Sequence, residues 1–268
     1  MKVGQLVNVR VAEQYARDVL SGAVVAGKYM KLACQRHFND LEQAEEKGFW
    51  FDREEAQLVL DFFGLLQHSK GEWAGSPILL EPWQQFIVAV VFGWKWTETG
   101  TRRFKTVLEF IGRKNGKTTK HSGVALYGMI ADGEAGAEIY SAATKKDQAR
   151  IMFEEACKMR DKSPSIKKHV VKFKNNLNMP ASDSKFEPLS SDANSLDGLN
   201  VHFGLIDEIH AHKTREVYDI LDTATGSRRQ PLIWAITTAG YNIDGIGHEL
   251  YEYGCMVLEG VVEDDTFA

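Results

Sequence analysis

Cysteines and long apolar runs are scarce in this sequence, and each scarcity excludes a class of protein. The 268 residues include only three cysteines, Cys34, Cys157 and Cys255, which are far apart and lack metal-binding spacing. This excludes a disulfide framework and a zinc site, and it predicts a reducing compartment. No apolar run approaches the roughly 18 residues of a membrane span, and the N-terminus has no signal-peptide pattern. We therefore expect a cytoplasmic globular protein with no membrane partner.

The sequence also has no excess of positive charge; its formal net charge is −5. A protein that holds nucleic acid across a broad face is usually basic. Any nucleic-acid contact must therefore be local, transient or shared between subunits. The length allows one large domain, or a core domain with a smaller appendage.

The pattern of the chain changes near Arg103. The preceding residues have helical spacing and are rich in glutamate. Later residues alternate between short apolar runs and amphipathic stretches, which predicts a mostly parallel sheet with helices on both faces. The stretches KHVVKFKNNLNMP and SKFEPLSSD are predicted to be strands joined by an Asn-rich turn.

A Gly-Lys-Thr sequence lies between an apolar strand and a predicted helix, within FIGRKNGKTTKHSG. Gly116 permits close backbone approach, Lys117 supplies positive charge, and Thr118 supplies a hydroxyl for Mg²⁺. However, Ile111 stands where the first glycine of such a loop belongs, and Gly112 comes one place late. The alternative is a basic solvated turn. The candidate ATP-binding residues are Gly112, Arg113, Lys114, Asn115, Gly116, Lys117, Thr118 and Thr119.

Two adjacent acids, Asp207 and Glu208, end the apolar strand in VHFGLIDE. Open α/β sheets bind their ligands at the carboxyl ends of strands. In a phosphate-loop ATPase, the first acid orients Mg²⁺ and the second polarises the attacking water. Strands also end in surface acids that have no function. The order of the two motifs nevertheless favours ATP hydrolysis.

Two further motifs carry polar residues whose role the sequence leaves open. Thr237 and Thr238 end the strand of WAITTAG, beside the acid-bearing strand, where hydroxyls could sense the γ-phosphate; an ordinary core strand is the alternative. Gln84 or Gln85 in LEPWQQF could bind adenine, although surface glutamines of an amphipathic helix would look the same.

Arginines and histidines near these motifs are ambiguous. Arg228 or Arg229 in GSRRQP could stabilise charge on a γ-phosphate, and Arg113 lies within the loop itself. Solvated surface arginines are the alternative. His210 and His212 are interpreted as loop histidines. The basic strand in IKKHVVKFK is either a nucleic-acid contact or, as we favour from sequence, a solvated face.

Together, LEPWQQF, GRKNGKTT, YSAATKKDQA, DGLNVHFGLIDEIHAHK and AITTAG resemble the large terminase subunit of tailed bacteriophages, from about Ile78 onward. A loop with an internal arginine and a displaced glycine is typical of that family. The resemblance implies a P-loop NTPase of the ASCE or RecA-like type. The helical spacing of residues 1–65 predicts an N-terminal helical subdomain. The resemblance implies an ATPase core over 66–260 and, over 261–268, the start of a linker to a C-terminal nuclease domain.

The resemblance also implies a role for each motif. Lys117 and Thr118 would bind phosphates and Mg²⁺, Asp207 would hold the metal, and Glu208 would activate water. Thr237 and Thr238 would couple hydrolysis to movement. Gln84 or Gln85 would lie near adenine, and Arg228 or Arg229 would act on the ATP of an adjacent subunit.

The implied biology is a virus-encoded motor that drives double-stranded DNA into a procapsid in the host cytoplasm. The implied partners are the portal protein, the small terminase subunit and further copies in a homo-oligomeric ring, expected to be a pentamer. We expect no nuclease activity, because no second group of metal-binding acids follows. A helicase-like remodelling ATPase is the alternative, and a non-catalytic scaffold is a third hypothesis, disfavoured by the intact loop and acids.

Overall fold

The fold is taken from a computed structural model that describes residues 7–189, 198–238, 242 and 244–268. Parts of three predicted motifs lie outside these residues, namely the end of SKFEPLSSD, the first residue of DGLNVHFGLIDEIHAHK and the Ala-Gly at the end of AITTAG. Among the described helices, none is long and apolar enough to cross a membrane.

Helices and strands follow the apolar spacing of the sequence in most places. The described helices are α1 (Val7–Ser21), α2 (Lys28–Lys47), α3 (Arg53–Leu65), α4 (Pro82–Gly93), α5 (Lys117–Ile130), α6 (Lys146–Lys162), α7 (Pro164–Lys167), α8 (Glu216–Thr223) and α9 (Ile246–Leu258). The described strands are β1 (Phe49–Phe51), β2 (Trp94–Trp96), β3 (Thr106–Phe110), β4 (Glu138–Ala142), β5 (Val171–Lys172), β6 (Leu177–Met179), β7 (Ser184–Pro188), β8 (Val201–Asp207) and β9 (Leu232–Thr237).

The chain forms two compact units whose boundaries differ from those predicted. The first unit combines the described parts of Met1–Gly64, Leu79–Phe104 and Tyr253–Ala268. The second combines Leu65–Ile78 with Lys105–Glu252. The chain enters the first unit three times, whereas the predicted domains are consecutive segments.

A seven-stranded sheet forms the centre of the second unit, in the order β3-β9-β8-β4-β7-β6-β5. Neighbours from β3 to β7 are parallel, whereas β6 and β5 are each antiparallel to the strand before them in that order. All described residues of β9 are buried. Strands covered on both faces read as continuous apolar runs, as β8 and β9 do.

Consecutive residues of β8 contact helices on opposite faces of this sheet. Phe203 lies against α5, where a Cβ on Gly128 would come within 2.4 Å of its ring. Gly204 faces the other way, toward Leu221 of α8. The predicted mostly parallel sheet with helices on both faces is confirmed.

The Asn-rich turn forms, but it joins one strand more than predicted. It falls inside the stretch expected to be a single strand and divides it into β5 and β6, which pair as a short hairpin. The Phe173 N–H closes the turn by donating to the Asn176 carbonyl, 2.8 Å away. Strands of two and three residues are too short to show the alternation on which the prediction depended.

In the first unit, buried arginines hold the segment that was expected to begin a linker. The Arg103 guanidinium is fully buried and donates to Asp40 Oδ2 (2.7 Å) and Asp265 Oδ1 (2.6 Å). Arg36 donates to the carbonyl oxygens of Asp264 and Phe267, each at 2.8 Å. Residues 264–267 are therefore packed on this unit.

Candidate active site

The carboxyl ends of β3, β9 and β8 lie side by side at one edge of the sheet. Phe110 at the end of β3 pairs with Thr237 at the end of β9, and Asp207 at the end of β8 pairs with Ile236. Because the three strands are parallel, their ends bring the phosphate-loop sequence, the two threonines and the two acids to one place. The predicted placement of the threonines beside the acid-bearing strand is confirmed.

The loop between β3 and α5 has the backbone of a tight anion-binding turn. Lys114 has a φ of 65° and Gly116 a φ of 72°, so two residues adopt the left-handed conformation. Asn115 Nδ2 donates to the carbonyl oxygens of Gly112 (3.1 Å) and Arg113 (3.3 Å). The first N–H groups of α5 have no intrahelical acceptor, and the helix dipole adds positive potential there.

Lys117 and Glu208 form an ion pair across this edge. Lys117 Nζ lies 3.2 Å from Glu208 Oε1, and the two side chains are 13% and 27% exposed. The loop lysine and the acid predicted to activate water are therefore direct partners. This contact joins the β3–α5 turn to the end of β8.

Glu208 is held in a strained conformation by several groups. Its φ of 51° is left-handed, which is uncommon for a residue with a side chain. Glu208 Oε2 accepts from the Thr238 hydroxyl at 3.3 Å and lies 3.2 Å from His210 Nδ1. The carboxylate thus contacts α5, β9 and the 3-10 turn Ile209–Ala211 that follows it.

The sequence did not reveal a site role for His210. Its Nδ1 lies 2.6 Å from Thr237 Oγ1, and that hydroxyl donates to the Thr238 carbonyl at 2.8 Å. A protonated Nδ1 suits both of its neighbours, because the Glu208 carboxylate can only accept and the Thr237 hydroxyl can accept while it donates to the Thr238 carbonyl. A histidine two residues after Glu208 was the only available signal.

The environment shifts the pKa values of the two acids in opposite directions. Burial and the charge of Glu208 raise the pKa of Asp207 above its ordinary value. Burial also acts to raise the pKa of Glu208, but the bond from Lys117, its charge, and the contacts with His210 and Thr238 outweigh burial and lower it. Adjacent acids with diverging pKa values are suited to different tasks.

Asp207 and Thr118, the predicted Mg²⁺ ligands, carry a carboxylate and a hydroxyl oxygen at this edge. Thr118 follows Lys117 in the first turn of α5 and is half-buried. Among the described residues, no three His, Cys, Asp or Glu side chains are placed to hold a metal together. Carboxylate and hydroxyl oxygens fit a Mg²⁺ that takes its remaining ligands from water and nucleotide phosphates.

Comparison with known proteins identifies the family. Residues 82–255 match the family described as the terminase large subunit, ATPase domain. The chain belongs to that family. It is 26% identical over 178 residues to the large terminase subunit of Enterobacteria phage HK97, which covers 65% of this chain and 34% of that protein. It is 45% identical over 69 residues to Protein YmfN of Escherichia coli K12, covering 26% of this chain and 15% of YmfN.

The crystal structure of the HK97 bacteriophage large terminase has the same fold, with a TM-score of 0.66 at 22% identity. The match covers 80% of this chain and 43% of the HK97 chain. The chain therefore spans less than half the length of the HK97 large terminase that it matches. The predicted P-loop NTPase fold is confirmed.

Behind the phosphate loop of this family member lies a buried charged cluster that the sequence analysis missed. Glu109 on β3 contacts Lys120 Nζ, and its Oε2 lies 3.1 Å from His121 Nε2. The His121 Nδ1–H donates to the Lys117 carbonyl, 2.8 Å away. Each of the three side chains is at most 4% exposed. The cluster therefore fixes the first turn of α5, from which the Lys117 side chain extends.

The charge state of the cluster follows from its burial. Burial alone would raise the pKa of Glu109, but Lys120 and His121 lower it to about 2, so the carboxylate stays ionised. Burial and the Lys120 charge lower the pKa of His121, whereas Glu109 and the bond to the Lys117 carbonyl act to raise it. A polar residue at an inward-facing position of β3 was the only available signal.

The structure brings some predicted residues to the edge and places others elsewhere. The prediction that Arg228 contacts a γ-phosphate is corrected. Its guanidinium is only 6% exposed and donates to the carbonyl oxygens of Gly136 (2.6 Å) and Asn200 (3.0 Å). It lies just before β9, at the opposite edge of the sheet from the phosphate loop. Arg229 is exposed.

The two glutamines belong to α4 in the other compact unit. Gln84 Oε1 accepts the Glu81 N–H at 3.0 Å, which caps the helix. Gln85 Nε2 donates to the Leu80 carbonyl at 2.7 Å, while Gln85 Oε1 is buried with no hydrogen-bond donor among the described residues. Of the two, Gln85 therefore retains an unsatisfied acceptor.

Replacing Glu109 with Met should lower the free energy of unfolding by about 3 kcal/mol or more, because the Lys120 charge would remain buried without its partner. The double variant Glu109→Met/Lys120→Met should recover most of that loss, since both charges are gone. Urea unfolding of the two variants measures the difference. Glu154→Gln, which removes an exposed pair with Arg150, is the control and should change stability by less than about 0.5 kcal/mol. A double variant no more stable than the single one would contradict the pairing.

Replacing Asp207 with Asn should raise the melting temperature by a few degrees at pH 7. Because the pKa of Asp207 is raised in the folded state, its ionised form destabilises the fold at neutral pH. In the parent this cost begins to fall as the pH drops below the folded-state pKa and is gone below the unfolded-state pKa, so the difference between the two proteins should shrink toward acid pH. Thermal melts from pH 4 to 8 test this, with Asp219→Asn as the surface control. A lower melting temperature at pH 7 would be the contrary result.

Proposed function

We propose that this chain is the ATP-hydrolysing motor domain of a phage terminase, which drives double-stranded DNA into a procapsid. The observation that carries the proposal is the Lys117–Glu208 ion pair at the carboxyl edge of the sheet. It joins the lysine of the proposed phosphate loop to the acid proposed to activate water. Membership of the terminase ATPase family supports the same function.

In this proposal, Lys117 and the N-terminus of α5 bind the β- and γ-phosphates. Thr118 and Asp207 hold Mg²⁺, which when bound neutralises the charge developing on the phosphates. Glu208 orients the attacking water and accepts its proton, for which its lowered pKa keeps it ionised. Glu208 must give up its contact with Lys117 as the lysine turns to phosphate.

Thr237 and Thr238 are proposed to couple hydrolysis to movement. The Thr238 hydroxyl bonds Glu208, and the Thr237 hydroxyl bonds His210. A change in the position of Glu208 therefore reaches the end of β9 and the turn after β8 through two hydrogen bonds. We add His210 to the coupling residues on this ground.

The adenine and arginine contacts are proposed from the side chains that remain available. Gln85 is the better candidate for adenine, since its unsatisfied oxygen can accept from the adenine amino group. Arg229 replaces the pair Arg228/Arg229 as the candidate finger, acting on the ATP of a neighbouring subunit. Arg113, exposed within the loop itself, is the candidate for a contact in the same subunit.

The proposed partners are those of a packaging motor in the host cytoplasm: double-stranded DNA, the portal of a procapsid, the small terminase subunit and further copies in a pentameric ring. The comparisons give no support to the helicase-like alternative. A ring would also explain how a chain of net charge −5 holds DNA, because each copy would contribute only a local basic surface.

Replacing Glu208 with Gln should reduce MgATP hydrolysis about 10³-fold, as expected for loss of a general base. The Kd of this variant for MgATP should stay the same or fall up to about fivefold, because Lys117 no longer has to break an ion pair with a carboxylate before it binds phosphate. Replacing Lys117 with Ala should weaken binding instead. Phosphate release and nucleotide titration distinguish the two variants.

Glu216→Gln is the matched control for Glu208→Gln, since Glu216 is an exposed acid of α8. It should leave both hydrolysis and binding unchanged. If Glu208→Gln hydrolyses ATP within about twofold of the parent rate, Glu208 is not the general base. If the parent neither binds nor hydrolyses MgATP, the proposed function fails.

Mixing Lys117→Ala chains with Arg229→Ala chains should recover hydrolysis that neither shows alone. If the arginine acts between subunits, the Lys117→Ala chains supply Arg229 to the intact phosphate loop of the Arg229→Ala chains. Turnover per chain in the parent should also rise with protein concentration. If mixing with Lys117→Ala chains restores no hydrolysis to Arg229→Ala chains but restores it to Arg113→Ala chains, then Arg113 is the residue that acts between subunits.

A further inference from the structure

Positive charge is concentrated in one part of the second unit. Lys145–Lys174 contains ten Lys and Arg residues and four Asp and Glu residues, a net charge of +6. The whole chain carries −5. The remaining residues are therefore strongly acidic, and this segment is a local exception to the overall charge.

The charged residues of this segment lie on elements that hydrogen bonds hold together. These elements are α6, the short helix α7 and the β5–β6 hairpin. Arg150 near the start of α6 donates to the Lys174 carbonyl at the hairpin turn (3.1 Å), and Arg160 near its end donates to the Val170 carbonyl (2.6 Å). These two bonds tie the helix to the edge of the sheet at both ends. We call these elements together the basic surface; its cations are Arg150, Lys158, Lys162, Lys167, Lys168 and Lys174.

Few acids neutralise the basic surface. Asp161 pairs with Arg160 and Lys172, and Glu154 pairs with Arg150. The five lysines of the surface have no acidic partner within the described residues, and all five are exposed. Unpaired ammonium groups at this density attract a polyanion, so the surface is more than a set of solvated ion pairs.

The dimensions of the surface fit a duplex backbone. The 17 residues of α6 extend about 25 Å. At about 3.4 Å per base pair, that length spans roughly seven phosphates of one strand. Lysines at the end of α6, on α7 and at the hairpin turn thus cover both ends of such a stretch.

A structural explanation accounts for only part of this charge. Lysines on an edge strand prevent pairing with other sheets, and this explains Lys172 and Lys174 at β5. It does not explain Lys158 and Lys162 on the outer face of a helix. A nucleic-acid role explains both sets.

The basic surface reaches the edge of the sheet that carries the phosphate loop. β5 is antiparallel to β6, and β6 is antiparallel to β7, so β5 runs in the same direction as β7 and β4. The turn after β5 therefore lies at the carboxyl edge, as does the start of α6. Movement at the ATP site and contact with DNA would involve one rigid sheet.

We infer that the basic surface binds the phosphate backbone of double-stranded DNA. This inference rests on the proposed function and gives the motor a specific DNA contact. Phosphate contacts of this kind are independent of base sequence and strongly dependent on salt. A translocating motor requires sequence-independent contact.

The test compares Lys167→Gln/Lys168→Gln/Lys174→Gln with Lys31→Gln/Lys105→Gln/Lys213→Gln, a control with the same change in charge at exposed lysines outside the basic surface. Binding to a fluorescent 30-base-pair duplex is measured by anisotropy between 50 and 200 mM salt. The basic-surface variant should lose affinity at least tenfold at 50 mM salt, and its salt slope should fall by about 2–3, at roughly 0.9 per phosphate contact. The control should match the parent. A third variant, with arginine at the three surface positions, should retain binding.

Basal MgATP hydrolysis without DNA separates this inference from the proposed function. It should be unchanged in all three variants, because none of these lysines belongs to the site. If hydrolysis is intact but the basic-surface variant binds DNA as well as the control does, the inference is overturned and the ATPase stands. If the parent binds no duplex at 50 mM salt, the inference is also overturned, and an acidic protein partner becomes the explanation for the charge. If the parent lacks basal hydrolysis, the proposed function itself fails.

Discussion

Parallel pairing of β9 between β3 and β8 is the constraint on which the site depends. β9 is the last strand in the described chain, yet it lies between the first strand of the sheet and the strand that carries the acids. Without it, the phosphate loop and Asp207 would belong to strands that are direct neighbours, and Glu208 would have no threonine beside it. The insertion provides a third strand end, and that end contacts Glu208 through the Thr238 hydroxyl. It also explains why β9 is buried along its whole length.

The buried Glu109–Lys120–His121 cluster, on the interior side of the phosphate loop, also stabilises this arrangement. An ion pair without solvent is costly unless each charge is matched, so Glu109 and Lys120 fix one another in position. The His121 bond to the Lys117 carbonyl extends that order to the first turn of α5. The loop above it is exposed and has left-handed residues. The buried cluster thus keeps Lys117 oriented, while the exposed loop remains accessible to nucleotide.

The sequence predicted the parts of the fold that local pattern determines. The strand–loop–helix around Gly116, the acids at the end of β8 and the adjacent strand ending in Thr237 follow from apolar runs and from motif order. The partners of Glu109, the position of His210 and the burial of Arg228 could not be read in this way. Each depends on groups many positions away in the chain, and a charged residue shows no local sign that it will be buried. The division of one expected strand into β5 and β6 was missed because the pieces are shorter than the period of the pattern.

The contacts of Glu208 suggest how the proposed motor links chemistry to movement. Its Oε1 contacts Lys117, while its Oε2 contacts Thr238 and His210. A lysine that moves to a phosphate weakens the first contact and leaves the other two, so the carboxylate is then held only by groups from β9 and the turn after β8. Because His210 is also bonded to Thr237, any shift of the carboxylate changes two bonds at the end of β9 together. The same sheet carries the basic surface at its far strands, so in the proposed motor a displacement at β8 and β9 would reach that surface through hydrogen-bonded strands.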